Sequence, residues 1–96
     1  MKVFISMPMN GKTREEIIAR REEITDLLKI RFPGQEIDVI DSVIESDKGP
    51  VWCLGRSIQL MEDAELVIFD KNWRSARGCK VENNVCAYYG YKFLEL

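Results

Sequence analysis

Histidine is missing from all 96 residues. Its absence removes Ser-His-Asp and Cys-His hydrolysis, His-ligated zinc and histidine general bases, so any chemistry must use carboxylates, hydroxyls, thiols or backbone amides. Long apolar runs are missing too. None approaches the roughly 18 apolar residues of a membrane span, and no apolar signal segment follows Met1, so a soluble cytoplasmic protein with no membrane partner is expected. Nor is there an excess of positive charge: fourteen Lys and Arg are interspersed with sixteen Asp and Glu for a net charge of −2, which argues against a duplex nucleic-acid surface. The three cysteines, Cys53, Cys79 and Cys86, form no CxxC pair and leave an odd count, as expected of free thiols in a reducing compartment. There is no internal repeat and no low-complexity tract.

What is present reads as one small domain spanning residues 1–96. The stretch from Leu66 to Gly90 organises it. Leu66-Val67-Ile68-Phe69 is a continuous apolar run of the kind buried on both faces of a parallel sheet, and Asp70 marks its end. A polar loop follows from Lys71 to Arg77, Gly78 allows a sharp turn into a helix, and Val81, Val85, Tyr88 and Tyr89 recur at helical spacing until Gly90 supplies a C-cap. Glu82 then falls in the first or second turn of that helix, about 100° around it from Val81 and outside the apolar stripe.

Earlier in the chain, K-V-F-I-S at Lys2–Ser6 reads as a strand, and M-P-M-N-G after it as a loop. Thr13-Arg14-Glu15-Glu16 is a capping box opening a helix to about Arg31, with Ile17, Ile24, Leu27 and Leu28 on its apolar face. Glu36–Ile40 reads as a second strand, Asp41–Pro50 as a long polar connection of the kind that forms mobile flaps, and Val51–Asp63 as a helix with Leu54, Ile58 and Met61 inward. Tyr91–Leu96 closes the chain as a fourth strand. Alternating strands and helices predict an α/β fold with a four-stranded parallel sheet, and the order 2-1-3-4 puts a ligand crevice at the switch between strands one and three. In that order the third and fourth strands are half bare, so an apolar patch from L-V-I-F and Y-K-F-L-E-L predicts a homodimer or higher homo-oligomer.

The residues flanking the expected crevice are Ser6, Met7, Pro8, Met9 and Asn10 on one side and Asp70, Trp73, Ser75, Arg77 and Gly78 on the other. One glycine in the first loop cannot cradle a pyrophosphate, so neither a dinucleotide fingerprint nor a P-loop is present. The methionines suit an adaptable apolar wall or simple core. Asp70 suits a sugar hydroxyl or a turn, and Trp73 a stacked nucleobase or a packing anchor. Ser75 and Arg77 suit a phosphate or sugar hydroxyl near a helix N-terminus, or a cap and a solvated charge. Cys79 stands where a helix N-terminus lowers a thiol pKa, but without a nearby histidine or resolving cysteine it reads as incidental. Glu82 suits a carboxylate nucleophile or a plain complement to the helix dipole.

M-K-V-F-I-S-M-P-M-N-G followed by D-A-E-L-V-I-F-D-K-N-W-R-S-A-R-G-C-K-V-E resembles the nucleoside 2-deoxyribosyltransferase-like superfamily, most closely its short phage and bacterial branch. The resemblance covers nearly the whole chain. It implies a flavodoxin-like (Rossmann-like) three-layer α/β/α fold, a nucleoside or nucleotide as small-molecule partner, no metal or organic cofactor, and Glu82 as the glutamate that attacks a deoxyribosyl anomeric carbon. The reaction it implies is either deoxyribosyl transfer or hydrolysis of the N-glycosidic bond. A tyrosine that assists the nucleophile in the transferases falls near Phe4, an aspartate that contacts the sugar near Ser57, and a second aspartate near Ala76. These departures leave a second reading, a non-catalytic nucleotide- or nucleoside-binding module of the same fold. A phospho-receiver domain fits the strand pattern and Asp70, but Ser6-Met7 replaces the acidic pair that magnesium would need.

Overall fold

A computed structural model describes all 96 residues. The chain alternates β1 (Lys2–Ser6), α1 (Arg14–Arg31), β2 (Asp38–Val39), α2 (Pro50–Met61), β3 (Leu66–Phe69), α3 (Arg77–Tyr89) and β4 (Phe93–Glu95), with a single 3-10 turn at Trp73–Ser75 before α3. All strand pairs are parallel, in the order β2-β1-β3-β4. This is the three-layer α/β arrangement and strand order expected from the alternation of elements. Two expected strands shorten, because only Asp38 and Val39 of the second and Phe93 to Glu95 of the fourth keep ladder partners at the sheet edges.

Strand alternation divides the core in two. Val3, Ile5 and Met7 of the first strand and its extension, with Leu66 and Ile68 of β3, pack on Ile17, Ile24 and Leu28 of α1. Phe4, Val67 and Phe69 point the other way, onto Met61 of α2, Trp73, and Cys79 and Cys86 of α3. Since α1 lies over β1 and β3, all four residues of β3 are buried within one chain. The expected bare face therefore shrinks to β4, where Phe93 and Leu96 remain exposed.

The local signals are read out by specific bonds. Thr13 accepts from the Glu16 N–H at 3.2 Å while Glu16 accepts from the Thr13 N–H at 3.3 Å, so α1 begins at a complete capping box. Thr13→Ala is expected to lower stability by about 1 kcal/mol, seen as a lower urea midpoint at unchanged m-value. Gly90 ends α3 with φ 73°, a left-handed conformation that other residues adopt at a cost. Pro50 is the first residue of α2, not the end of the preceding connection. That connection is tied down at its start: Asp41 accepts from Arg21 and from the Val43 N–H, both at 3.2 Å, and Arg14 pairs with Glu45. No helix is long and apolar enough to cross a membrane.

Three expectations fail in and around the organising stretch. The turn after β3 is made at Asn72, with φ 65°, and at extended Ala76, whereas Gly78 is already helical. A methyl group on Gly78 would meet only Leu54, at an ordinary 3.7 Å, so neither φ nor space demands glycine there. The inward face of α3 is Cys79, Glu82 and Cys86, while Val81, Tyr88 and Tyr89 are exposed. Cysteine packs as a small hydrophobe and fits the narrow gap beside α2 and the sheet, where tyrosine rings have no room. On α1, Leu27 is half exposed, the neighbouring Leu28 having taken the inward position.

Candidate active site

Helices α2 and α3 lie side by side over one face of the sheet, with Leu54 against Gly78 and Ser57 beside Glu82. This brings residues from three elements together. Ser6, the last residue of β1, points to the same face as Phe4 and donates its hydroxyl to Glu82 Oε1 at 2.9 Å. Ser57 of α2 donates to Glu82 Oε2 at 2.7 Å. Glu82 is 5% exposed and has no cationic partner. Burial pushes its pKa up, and the hydrogen bonds from Ser57 and Ser6 oppose that shift without cancelling it. An ionised carboxylate offers about four acceptor positions, so two serines orient it and leave lone pairs free.

Asp70 belongs to the opposite face. Its N–H donates to the Ser6 carbonyl at 2.9 Å, yet its side chain turns toward α1, where the Arg20 guanidinium donates to Oδ1 at 2.8 Å and to Oδ2 at 3.0 Å. The Lys71 N–H adds a bond to Oδ1 at 2.8 Å. Burial pushes Asp70 up, but the hydrogen bonds from Arg20 and Lys71 and the charges of Arg20 and Lys12 outweigh it and hold the carboxyl below its ordinary value. With both oxygens engaged, Asp70 acts first as the partner of Arg20. It also lines a crevice of about 410 Å³ at the carboxyl ends of the strands, with Pro8, Lys12, Arg20, Lys71 and Ser75.

The remaining expected site residues divide between core and surface. Met7 is buried on the α1 side, whereas Met9 and Asn10 are exposed on the loop. Trp73 is 8% exposed; it lies against Phe69 with ring centroids 5.2 Å apart, donates Nε1–H to Glu95 at 2.9 Å and is covered by Arg74 at 4.4 Å. Of its two roles, this geometry is the packing anchor. Ser75 donates its hydroxyl to the Asn72 carbonyl at 2.7 Å on the crevice rim, and Arg77 is exposed at the start of α3 without an ion pair.

The helix N-terminus does not lower the Cys79 thiol, because burial pushes it up, with the Ser6 hydroxyl opposing and the Glu82 and Asp70 carboxylates adding to the rise. Cys86 is pushed up to about 11 by burial and by Glu82. Neither thiol is activated. No group of three or more His, Cys, Asp or Glu side chains converges to hold a metal ion.

Two participants escaped the sequence reading. Ser57 stands next to the Leu54, Ile58, Met61 stripe, and a small hydroxyl at the margin of an inward stripe was the available signal. Arg20 falls between Ile17 and Ile24 on the buried side of α1, where a charged residue requires a partner. Compared with models of known protein families and with curated protein sequences, the chain matches none.

Proposed function

We propose that this protein cleaves or transfers the N-glycosidic bond of a 2′-deoxynucleoside or its nucleotide, with Glu82 as nucleophile. The observation that carries the reading is a buried carboxylate without a countercharge at the carboxyl end of β1, oriented by two hydroxyls. Burying such a group is unfavourable, and perturbed carboxylates of this kind cluster at reactive sites. Its position also suits the rule that open α/β sheets bind ligands beyond the carboxyl ends of their strands, at the switch in strand order.

In the proposed reaction a Glu82 oxygen bonds to C1′ as the C1′–N bond breaks. The departing base takes the bonding electron pair and a proton from water. A second nucleophile, water or another base, then displaces the carboxylate and restores Glu82. A carboxylate suits the positive charge that develops on the sugar, and two steps replace one difficult one. Ser6 and Ser57 hold the attacking group in place, which reduces the motion required at reaction. Incubation with each deoxynucleoside and deoxynucleotide, followed by chromatography for free base, tests the reading.

A second reading rests on a specific observation: both Glu82 oxygens are engaged at 5% exposure, and Phe4 offers no hydroxyl beside them. It makes the chain a nucleotide- or nucleoside-binding module without turnover. Saturable binding with no base release selects it.

Self-association belongs to the same proposal on revised grounds. Val51 and Trp52 of α2 and Val81, Tyr88 and Tyr89 of α3 are exposed, with Tyr88 at 83% and Tyr89 at 77%. These are large apolar and aromatic groups of the kind that interfaces use. A second copy of the chain is the proposed cover, and light scattering at micromolar concentration is expected to give twice the chain mass. A monomer mass counts against it.

A further inference from the structure

The crevice on the α1 side carries charge that the glycosyl chemistry does not use. Lys12, just before α1, and Lys71, just after β3, are exposed on its walls, and neither forms an ion pair. The other charges there are already matched. Arg20 is paired with Asp70 and Glu23, and Glu16 is turned back onto the Thr13 N–H by the capping box. Two uncompensated ammonium groups and the Ser75 hydroxyl therefore face the opening. No hydrophobic side chain lines it, which suits a hydrated anion far better than a nucleobase. Its volume of about 410 Å³ is that of a small-ligand site.

The crevice is also connected to Glu82. Asp70 and Ser6 are bonded neighbours at the strand ends, one facing the crevice and the other facing Glu82. The Lys12 charge acts on Asp70 and also on Cys79, which lies on the Glu82 side. A ligand lying across the strand ends would present one end to each.

We infer that this crevice binds the phosphate of a nucleoside monophosphate through Lys12 and Lys71, so that the substrate is a nucleotide and not a free nucleoside. The inference rests on the proposed glycosyl reading for the rest of the ligand. Lysine binds phosphate as a point charge and needs no rigid fork, so two exposed lysines on facing walls suffice for recognition by charge.

The test is calorimetric binding at low ionic strength of the four 2′-deoxynucleoside 5′-monophosphates, their deoxynucleosides and inorganic phosphate, alongside base-release assays. Wild type, Lys12→Ala, Lys71→Ala and the double variant are compared. Both side chains are exposed, and the backbone N–H of Lys71 that holds Asp70 is retained, so the melting temperatures should match. At least one monophosphate is expected to bind about tenfold or more tightly than its nucleoside, with each substitution costing about three- to tenfold in monophosphate affinity and nothing in nucleoside affinity. Added salt should weaken monophosphate binding alone.

Equal affinity for nucleotide and nucleoside, lysine variants that bind as wild type does, no binding of either ligand, or binding of inorganic phosphate alone would each overturn the inference. Base release from nucleosides as fast as from monophosphates overturns it while leaving the Glu82 chemistry intact. Lysine-dependent monophosphate binding without base release does the reverse, removing the glycosyl reading and keeping the phosphate site.

Discussion

Glu82→Gln is expected to abolish base release and, at neutral pH, to raise the melting temperature. Glutamine keeps the size of the side chain and can still bond to Ser6 and Ser57, but it cannot attack C1′, so the rate should fall by about 10³-fold or more. The stability gain follows from the raised pKa. A carboxyl whose folded value lies above its ordinary 4.5 contributes stability that is complete below that value and is lost as pH rises through the folded value. At pH 7 wild type therefore bears the cost of a buried charge, and glutamine does not. The difference in melting temperature should shrink toward zero as pH falls below 4.5. Base release by wild type should show an acid limb above 4.5, because the attacking form is the ionised one. A variant that releases base at the wild-type rate would remove Glu82 from the mechanism. A lower melting temperature at pH 7 would mean that the carboxylate serves the fold.

Arg20→Ala is expected to be the most destabilising single change on the α1 side. It leaves Asp70, 2% exposed, with the Lys71 N–H as its one remaining hydrogen bond. Removing one partner of a buried pair costs about 3–5 kcal/mol, and the 22% exposure of the Arg20 side chain points to the lower figure. In a domain of this size that corresponds to a fall in melting temperature of more than about 10 °C. The loss should be partly repaired by adding Asp70→Asn, which removes the stranded charge, so the double variant should be more stable than Arg20→Ala alone.

The pH profile should also change sign. In wild type Asp70 is held below its ordinary 3.8, so its contribution is present above that value and is lost as pH falls through the lower folded one. Without Arg20, burial dominates and acidification should stabilise the variant instead. Urea midpoints measured from pH 3 to pH 7 on both proteins decide the matter. Parallel profiles would show that the pair contributes little.

The parts of this fold that could be read from the residues are those set by local chemistry. The Thr13 box, the Gly90 cap and the unbroken run Leu66 to Phe69 each admit few alternatives, and together with the alternation of elements they determine the strand order. What could not be read was rotation and cover. Helix α3 has apolar residues on two faces, and periodicity cannot say that Cys79 and Cys86 win over Val81 and Tyr88 once the gap beside α2 is narrow. The reach of α1 over β3 depends on the angle at which an 18-residue helix crosses the sheet, which no spacing encodes. Glu82 was legible as a residue of interest through resemblance, but its serine partners lie 76 and 25 positions away in sequence and meet it only in the folded chain.

The alternation that sends Ser6 to one face and Asp70 to the other also has an evolutionary consequence. The carboxylate and its serines belong to one half of the core, whereas the Arg20–Asp70 pair and the lysine-rimmed crevice belong to the other. Substitutions that reshape the crevice need not disturb the packing around Glu82, since the strands stand between them. A lineage could therefore alter which group it recognises while keeping its chemistry, or abandon the chemistry while keeping recognition. An engineer could exploit the same independence by randomising the Lys12 and Lys71 loops as one library and the Ser57 neighbourhood as another, then combining winners with little interference.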